Sequence, residues 1–573
     1  MKKIQVYLLV FFTLAICLFS SCNSTKVEES ENEFSISMNI STNPQSINPL
    51  YYSSSTDIFI CRHLFQPLLS INDSFNDYVP ILAEKLPEVK LVNDKTAIHY
   101  SLKPEAKWDN GTSVNSDDVI TSFKIVFNPH SELPYLVKYY DFIDSIIALN
   151  ELEFYMYINS EANNAYFNSG DFEILPKYIF DQNSVLDAYT FQDLKNYNPN
   201  DKIDSALLML GEEVINIKIL DPEAKISGTG AYKITDYNIN NNITLTKKQD
   251  WWGQKYSDQS YFFKSNPDNI NFKIYLEPLS AIMDYNNSNL DVLFGLNHES
   301  LKSVLDNQNI MDNSRLIKFN VNAFVYLSVN SSNPLFQNVS ARKAMAILSD
   351  PNTFIKDILM DQAVSISSPV SPNNKRLYNS NLKALEFDPD NASMLLEKGG
   401  WVKRNSSWYK NNQEISLEFL IQAGNKNSED YGIYFKNKAS KIGLKVNLIP
   451  LEFSEFISRI RNGNYTLARL GTSVSPMFDN HRALFHSSSI GQRNYPRMKS
   501  PEIDSLIGKI EIESNPESKK QMIHTLQELI FHEFSYVFLY SPISNVIVNN
   551  RYDNFTLSAD ALRPWLPAFS LKR

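Results

Sequence analysis

Between Tyr431 and Leu470 the hydrophobic period switches repeatedly between that of a helix and that of a strand. Residues 431–442 carry a helical pattern that stops at Gly443. Leu444, Val446 and Leu448 then alternate as a strand, 453–460 is helical up to Gly463, and 465–470 returns to a strand. A chain written this way is expected to fold as mixed α/β, with helices laid on a sheet. The same grammar recurs elsewhere. Phe34, Ile36, Met38 and Ile40 alternate as a strand that runs into the turn-rich stretch 43–49, and 58–69 reads as a helix leading into a strand. Ser116-Asp117-Asp118 looks like an N-cap with acidic first-turn residues before an apolar helix. Phe387-Asp388-Pro389-Asp390 opens another helix that stops at Gly399-Gly400.

At the start of the chain, Lys2 and Lys3 precede an apolar run, 4–19, which ends in Ser20-Ser21-Cys22. The lysines hold the beginning in the cytoplasm while the run enters the membrane. Small residues before Cys22 suit a signal peptidase, and a cysteine placed there resembles a bacterial lipobox, whose thiol is lipidated and becomes the new N-terminus. Phe19 stands where the usual pattern has leucine, with Leu18 beside it. The expectation is a leader over 1–22, lipidation at Cys22 and an acidic tether over 23–33. An ordinary signal peptide or a signal anchor is the alternative, although the run is short for a span. With Cys17 and Cys22 set aside, only Cys61 remains of three cysteines, so no disulfide is available and stability must come from burial. Cys61 lies in an apolar run and reads as a buried small hydrophobe. The 573 residues, 43% hydrophobic, allow roughly two to four domains. A net charge of −10 argues against a nucleic-acid partner.

Catalytic and metal-binding patterns do not assemble. His532-Glu533 begins a zinc-protease motif, but Tyr536 stands where the second histidine is needed. Gly228-Thr229-Gly230 lacks the third glycine and the Lys-Ser/Thr ending of a phosphate loop. Trp251-Trp252-Gly253 reads either as a sugar-stacking platform or as a structural aromatic pair beside a turn. No cofactor is expected, and a hydrolase has no residue set to stand on.

The order of short segments resembles the family 5 extracellular solute-binding proteins, the peptide-type binding subunits of ABC importers. The resemblance runs from about Ile47 to Tyr540. Ile47-Asn48-Pro49 with Ser54-Ser55-Thr56 is similar to the family's opening strand and ligand-facing loop. Asp109-Asn110-Gly111-Thr112 followed by Asp117-Asp118-Val119 matches its best-known signature, and Gly228-Thr229-Gly230-Ala231-Tyr232 matches a further one, with Ala231 where proline is usual. Tyr326 to Asn330, Ala341-Arg342-Lys343-Ala344, Asp388-Pro389 to Trp401, and Gly443-Leu444-Lys445-Val446 continue the series. The resemblance implies a three-domain, periplasmic-binding-protein-like α/β fold whose two lobes close about a strand hinge. Domain I would comprise 34–75, 223–312 and 529–573, domain II 76–222, and domain III 313–528. The crossings between lobes are expected near 326–330 and 531–540.

It also implies a function: a lipid-anchored subunit in the cell envelope that captures peptides or peptide-like solutes and delivers them to a permease and ATPase, acting as a monomer. A receptor- or chaperone-like lipoprotein with a degenerate pocket is the alternative. Ser54, Ser55, Thr56, Tyr326 and Asn494 are expected near the ligand. In peptide-binding members a Gly-Trp pair is followed three places on by an aspartate that meets the peptide ammonium. Here Thr472 and Ser475 occupy those positions, and a buried ammonium without a carboxylate costs several kcal/mol. Asp479 either takes that role or caps the next helix. Arg469 either grips a ligand carboxylate or makes an inter-domain ion pair.

Overall fold

One strand, Tyr536–Asn549, organises the molecule. The computed structural model describes residues 33–572 apart from 53, 73–76, 93–94, 160–167, 198–202, 218, 223–225, 227, 476, 479–480, 514 and 559–562. The leader, Cys22, all of the tether but Glu33, and Asp479 lie outside the described residues.

The first half of the long strand pairs antiparallel with Ala323–Val329, Tyr536 opposite Ser328 and Tyr540 opposite Val325. Its second half pairs with Ser314–Asn320, Ile543 opposite Asn320 and Asn549 opposite Ser314. Between the two stretches the Val321 N–H donates to the Pro542 carbonyl at 2.8 Å. A ribbon of paired strands therefore crosses from one half of the sheet to the other at 320–323 and 540–543, where the short strand Ala363–Ser365 also pairs antiparallel with 540–542 of the long strand. The sheet has twelve strands. On one side of the ribbon follow Leu467–Ser473, Ser416–Gln422 and Lys445–Leu451. On the other lie Val292–Phe294, Ser35–Ile40, Asn269–Ile274, Asn242–Lys247 and Tyr232–Asn238. Of the segments expected to cross, 326–330 falls inside the first half, where Tyr326 faces Leu470 and Phe538, and 531–540 runs from the end of the helix Pro516–Glu533 to the edge of the crossing. An unbroken apolar run announces a strand but does not say where along it the lobe ends.

Side chains of Ala323–Val329 alternate between two cores, as the period of a strand requires. Val325, Leu327 and Val329 pack with Leu396, Trp401 and Phe435, whereas Phe324 and Tyr326 pack with Ile503, Leu526 and Ile530. Helices cover both faces, which is why the strand is apolar throughout. A further core joins Ile36, Met38 and Phe272 to Phe123, Phe154 and Trp108, so that the first strands share an interior with a separate four-stranded sheet spanning Glu88–Val92, Lys95–Ser101, Ile143–Ala148 and Glu153–Ile158. Cys61 is buried there.

The family-like motifs have structural causes. Asn115, one residue before the expected cap, opens the helix Ser116–Phe127 in a reciprocal capping box with Asp118. The Asp118 carboxylate also accepts from the Trp108 indole N–H at 2.9 Å and from the Lys177 amide at 2.9 Å. One buried carboxylate thus ties the tryptophan turn, the helix start and a distant loop together. Gly228 and Gly230 lie against the end of the helix Ser55–Leu64, and the Gly230 amide donates to the Leu64 carbonyl at 2.8 Å. A Cβ on Gly230 would run into the His63 carbonyl, a backbone group that has no rotamer with which to yield. Both tryptophans of 251–252 donate their indole N–H to the Thr229 carbonyl, at 2.7 and 2.9 Å, and Trp251 is buried, so the pair closes this loop. Gly230→Ala is expected to destabilise the protein by about 1–3 kcal/mol, read as a fall in the midpoint of thermal or denaturant unfolding. An unchanged midpoint would show that the contact is not as tight as described.

Candidate functional site

Two loops that follow strands of opposite halves face each other beside the ribbon. Residues 296–299 follow Val292–Phe294, and 424–427 follow Ser416–Gln422. The crevice between them measures about 620 Å³, and its floor includes Tyr540, Pro542, Ile543 and Asn545 of the long strand.

Arg469, on the strand Leu467–Ser473, projects into this crevice and is only 9% exposed. One terminal nitrogen donates to the Tyr540 hydroxyl and the guanidinium lies 5.6 Å from the centre of that ring. Its Nε is buried without a partner, and no carboxylate among the described residues pairs with it. The floor carries a second unmet group. Gln362 Nε2 donates to the Met360 carbonyl at 3.2 Å, so its Oε1 accepts from Asn545 Nδ2 at 2.8 Å. That leaves Asn545 Oδ1 buried and unpaired. A buried donor and a buried acceptor, neither with a protein partner, give the crevice polar groups able to bond a solute.

The residues singled out from the sequence fare differently. Arg469 lies in the crevice, and among the described residues no carboxylate pairs with it. Ser54 is the N-cap of Ser55–Leu64, its hydroxyl accepting from the Asp57 amide. Ser55 and Thr56 accept from Arg563 Nη2 at 2.9 and 3.3 Å. Thr472 accepts from Arg493 at 3.3 Å, and Ser475 is held in a local turn, accepting from the Met477 and Phe478 amides. Two expectations are corrected. Tyr326 is 2% exposed and packs at a tilt against Tyr536 inside a core, because its position in the strand turns it away from the crevice. Asn494 is fully buried, and its amide donates to the Phe485, His486 and Met498 carbonyls and accepts from the Met498 amide, so it pins a loop. Sequence reading missed Tyr540, Gln362, Asn545 and the loops 296–299 and 424–427. Only their place at strand ends around a hinge could have signalled them.

A family description reading "Bacterial extracellular solute-binding proteins, family 5 Middle" matches residues 77–493. The chain belongs to this family. Its members are binding proteins and not enzymes, which accounts for the missing catalytic sets. Among curated proteins, the oligopeptide-binding protein AppA of Bacillus subtilis is 21% identical over 97% of this family 5 protein and 96% of its own length. The solved structure of the same AppA in complex with a nonapeptide covers 94% of the chain and all of its own, at 18% identity and a TM-score of 0.67. NikA from Brucella suis in complex with Fe(III)-EDTA also covers 94%, with all of its own chain, at 17% identity and a TM-score of 0.73. Both share the two-lobed α/β fold. Among the described residues no helix is long and apolar enough to cross a membrane.

Below the loop 54–56 this family 5 protein keeps a charged cluster. Arg62 Nε lies 2.7 Å from Glu173, and Asp171 accepts from the Tyr139 and Tyr140 hydroxyls, each at 2.8 Å. Burial, above all, pushes the Asp171 carboxyl up to about 7, with Glu173 adding to it and the tyrosines and Arg62 opposing.

Two expected outcomes follow from these charges. Removing an unpaired buried cation removes a cost, whereas Arg342, 2.8 Å from Glu533, is a paired one. Arg469→Gln is expected to leave the unliganded stability unchanged or to raise it by up to several kcal/mol, and Arg342→Gln to lower it by roughly 3 kcal/mol, both measured by denaturant unfolding. Equal losses would mean that Arg469 is structural. Asp171, with its folded pKa raised, binds its proton more tightly in the native state than in the unfolded one. Its stabilising effect is therefore complete below about pH 4 and is lost as pH rises through about 7. Asp171→Asn should flatten the fall in melting temperature between pH 5 and pH 8, a difference of roughly 1–2 kcal/mol at the alkaline end. Parallel pH profiles would place the proton elsewhere.

Proposed function

We propose that this chain is the lipid-anchored binding subunit of an ABC importer, which captures peptides or peptide-like solutes between two lobes and passes them to a membrane permease. The observation that carries the reading is the crevice of about 620 Å³ laid against the ribbon that joins the two halves of the sheet. Its size falls within the range of small-molecule sites. A solute held there touches both halves and the ribbon together, so that capture and closure become one event. With 313–528 as the moving lobe, closure brings 424–427 down on 296–299.

The chemistry of the walls supports a peptide-like guest. Asparagine and glutamine side chains and loop backbone offer bonds to main-chain amides without demanding a particular sequence. A micromolar ligand needs only about −8 kcal/mol, which several such bonds and closure supply. Arg469 takes an anionic group of the solute in a charge-assisted pair. Thr472 and Ser475 offer no carboxylate to an ammonium, which leaves Asp479 as the candidate for that role. AppA, with its nonapeptide, supports the peptide class. The lipobox-like Cys22 supports anchoring at the envelope. The receptor-like alternative calls for a cleft filled by apolar side chains, and the polar, open crevice favours the binding subunit.

A thermal-shift panel of mixed peptides, a nickel chelate and an oligosaccharide is the direct test. A true ligand at a hundred times its Kd stabilises by about 2.7 kcal/mol, and the peptides are expected to raise the midpoint while the other two do not. A shift with only the chelate or the sugar would replace the peptide class, and a flat response to all three would favour the receptor-like alternative.

A further inference from the structure

Arg62 and Arg342, both withdrawn from solvent, are each met by a glutamate, at 2.7 and 2.8 Å. Arg469 and Arg563 are not. Arg563 is partly buried and donates from Nη2 to two neutral hydroxyls, Ser55 Oγ at 2.9 Å and Thr56 Oγ1 at 3.3 Å. The rings of Phe59 and Phe294 flank its guanidinium at 5.4 and 5.5 Å. No carboxylate among the described residues pairs with it, and burial alone lowers it to about 10.

Nothing in this surrounding explains a charge. Neutral hydroxyls and ring faces hold a guanidinium less strongly than a carboxylate does. The two hydroxyls also begin the helix Ser55–Leu64, whose dipole is positive at that end and repels a cation. What the surrounding does explain is position. Phe294 ends the strand Val292–Phe294, and the residues just beyond it, 296–299, wall the crevice. Arg563 thus lies against the strand end that leads into the wall on one half, while Arg469 enters the crevice from the other. The protein's net charge of −10 works at long range against an anionic solute, so any preference for one has to come from short, desolvated pairs of this kind.

We propose that Arg563 is a specificity-determining residue that meets a second anionic group of the solute, so that the site selects acidic peptides, with one carboxylate on Arg469 and another on Arg563. The proposal rests on the peptide-binding reading above.

The test is calorimetric titration with a matched pair of tripeptides, Ala-Glu-Ala and Ala-Gln-Ala, each also prepared with an acetylated N-terminus. The wild-type protein is expected to bind the glutamate peptides about tenfold more tightly than the glutamine ones, a difference of about 1.4 kcal/mol. In Arg563→Gln the ratio should fall to about one, in Arg563→Lys it should be partly restored, and the unliganded melting temperature of Arg563→Gln should be unchanged or higher. Arg563→Met serves in its place if Arg563→Gln does not fold. A wild-type ratio near one, or a preference that survives in the neutral variants, would overturn the role of Arg563 alone. Binding of none of the peptides would overturn the peptide reading and this assignment with it.

Discussion

The backbone ladder along Tyr536–Asn549 is the interaction on which the rest depends. Both halves of the twelve-stranded sheet are hydrogen-bonded to this one strand, so their relative position is set by the shape of the ribbon built on it. Such a ribbon resists shear, because sliding breaks several bonds together, but it twists and bends readily where a bond is missing. Pro542 sits at that point. It has no N–H to donate, and its carbonyl is held by the Val321 amide on the partner strand. The register also shifts beside Val325 and Tyr326, just before the crossing. The compliance of the molecule is therefore concentrated where the chain passes between halves, which is what closing without unfolding either core requires.

The crevice inherits its properties from this placement. Tyr540, Pro542, Ile543 and Asn545 are at once ribbon and floor. Asn545 and Gln362 bond to each other across the crossing, and Gln362 is bonded at its backbone too, its carbonyl accepting from the Ile543 amide at 3.1 Å. A guest that meets Asn545 Oδ1 or Arg469 acts on groups that are bonded directly to the hinge. Under the function proposed above, binding there would act on the hinge through contacts one residue deep, without a long relay through either core.

Much of this was legible from patterns alone. The alternation between 431 and 470 became helix Lys426–Ser440, strand Lys445–Leu451, helix Phe453–Asn462 and strand Leu467–Ser473, because apolar period and glycine stops are local signals. Asp388 capped its helix for the same reason. Site residues were harder to read, since their roles depend on which face of a strand looks at the crevice. Tyr326 and Arg469 lie on adjacent strands and were both plausible, yet one is swallowed by a core and the other is not. Neighbours in space such as Arg563 and Ser55, joined at 2.9 Å, are separated by almost the whole chain, and no periodicity carries information over that distance. Motif matching had its own bias, because Asn494 is part of a family-like segment for the sake of four loop hydrogen bonds.

The unpaired guanidinium groups and the cores belong to one balance. A protein without disulfides has to hold its shape by burial, and each lobe here has an interior dense in Phe, Tyr, Trp, Ile and Leu. Burying a cation such as Arg469 without its counter-charge costs several kcal/mol, a large part of the margin by which domains are stable. Under the function proposed above, an anionic solute offsets that cost, and strong cores carry it otherwise. Among the buried arginines the contrast is plain: Arg342 and Arg62 are each met by a glutamate, whereas Arg469, beside the ribbon, has no carboxylate partner among the described residues.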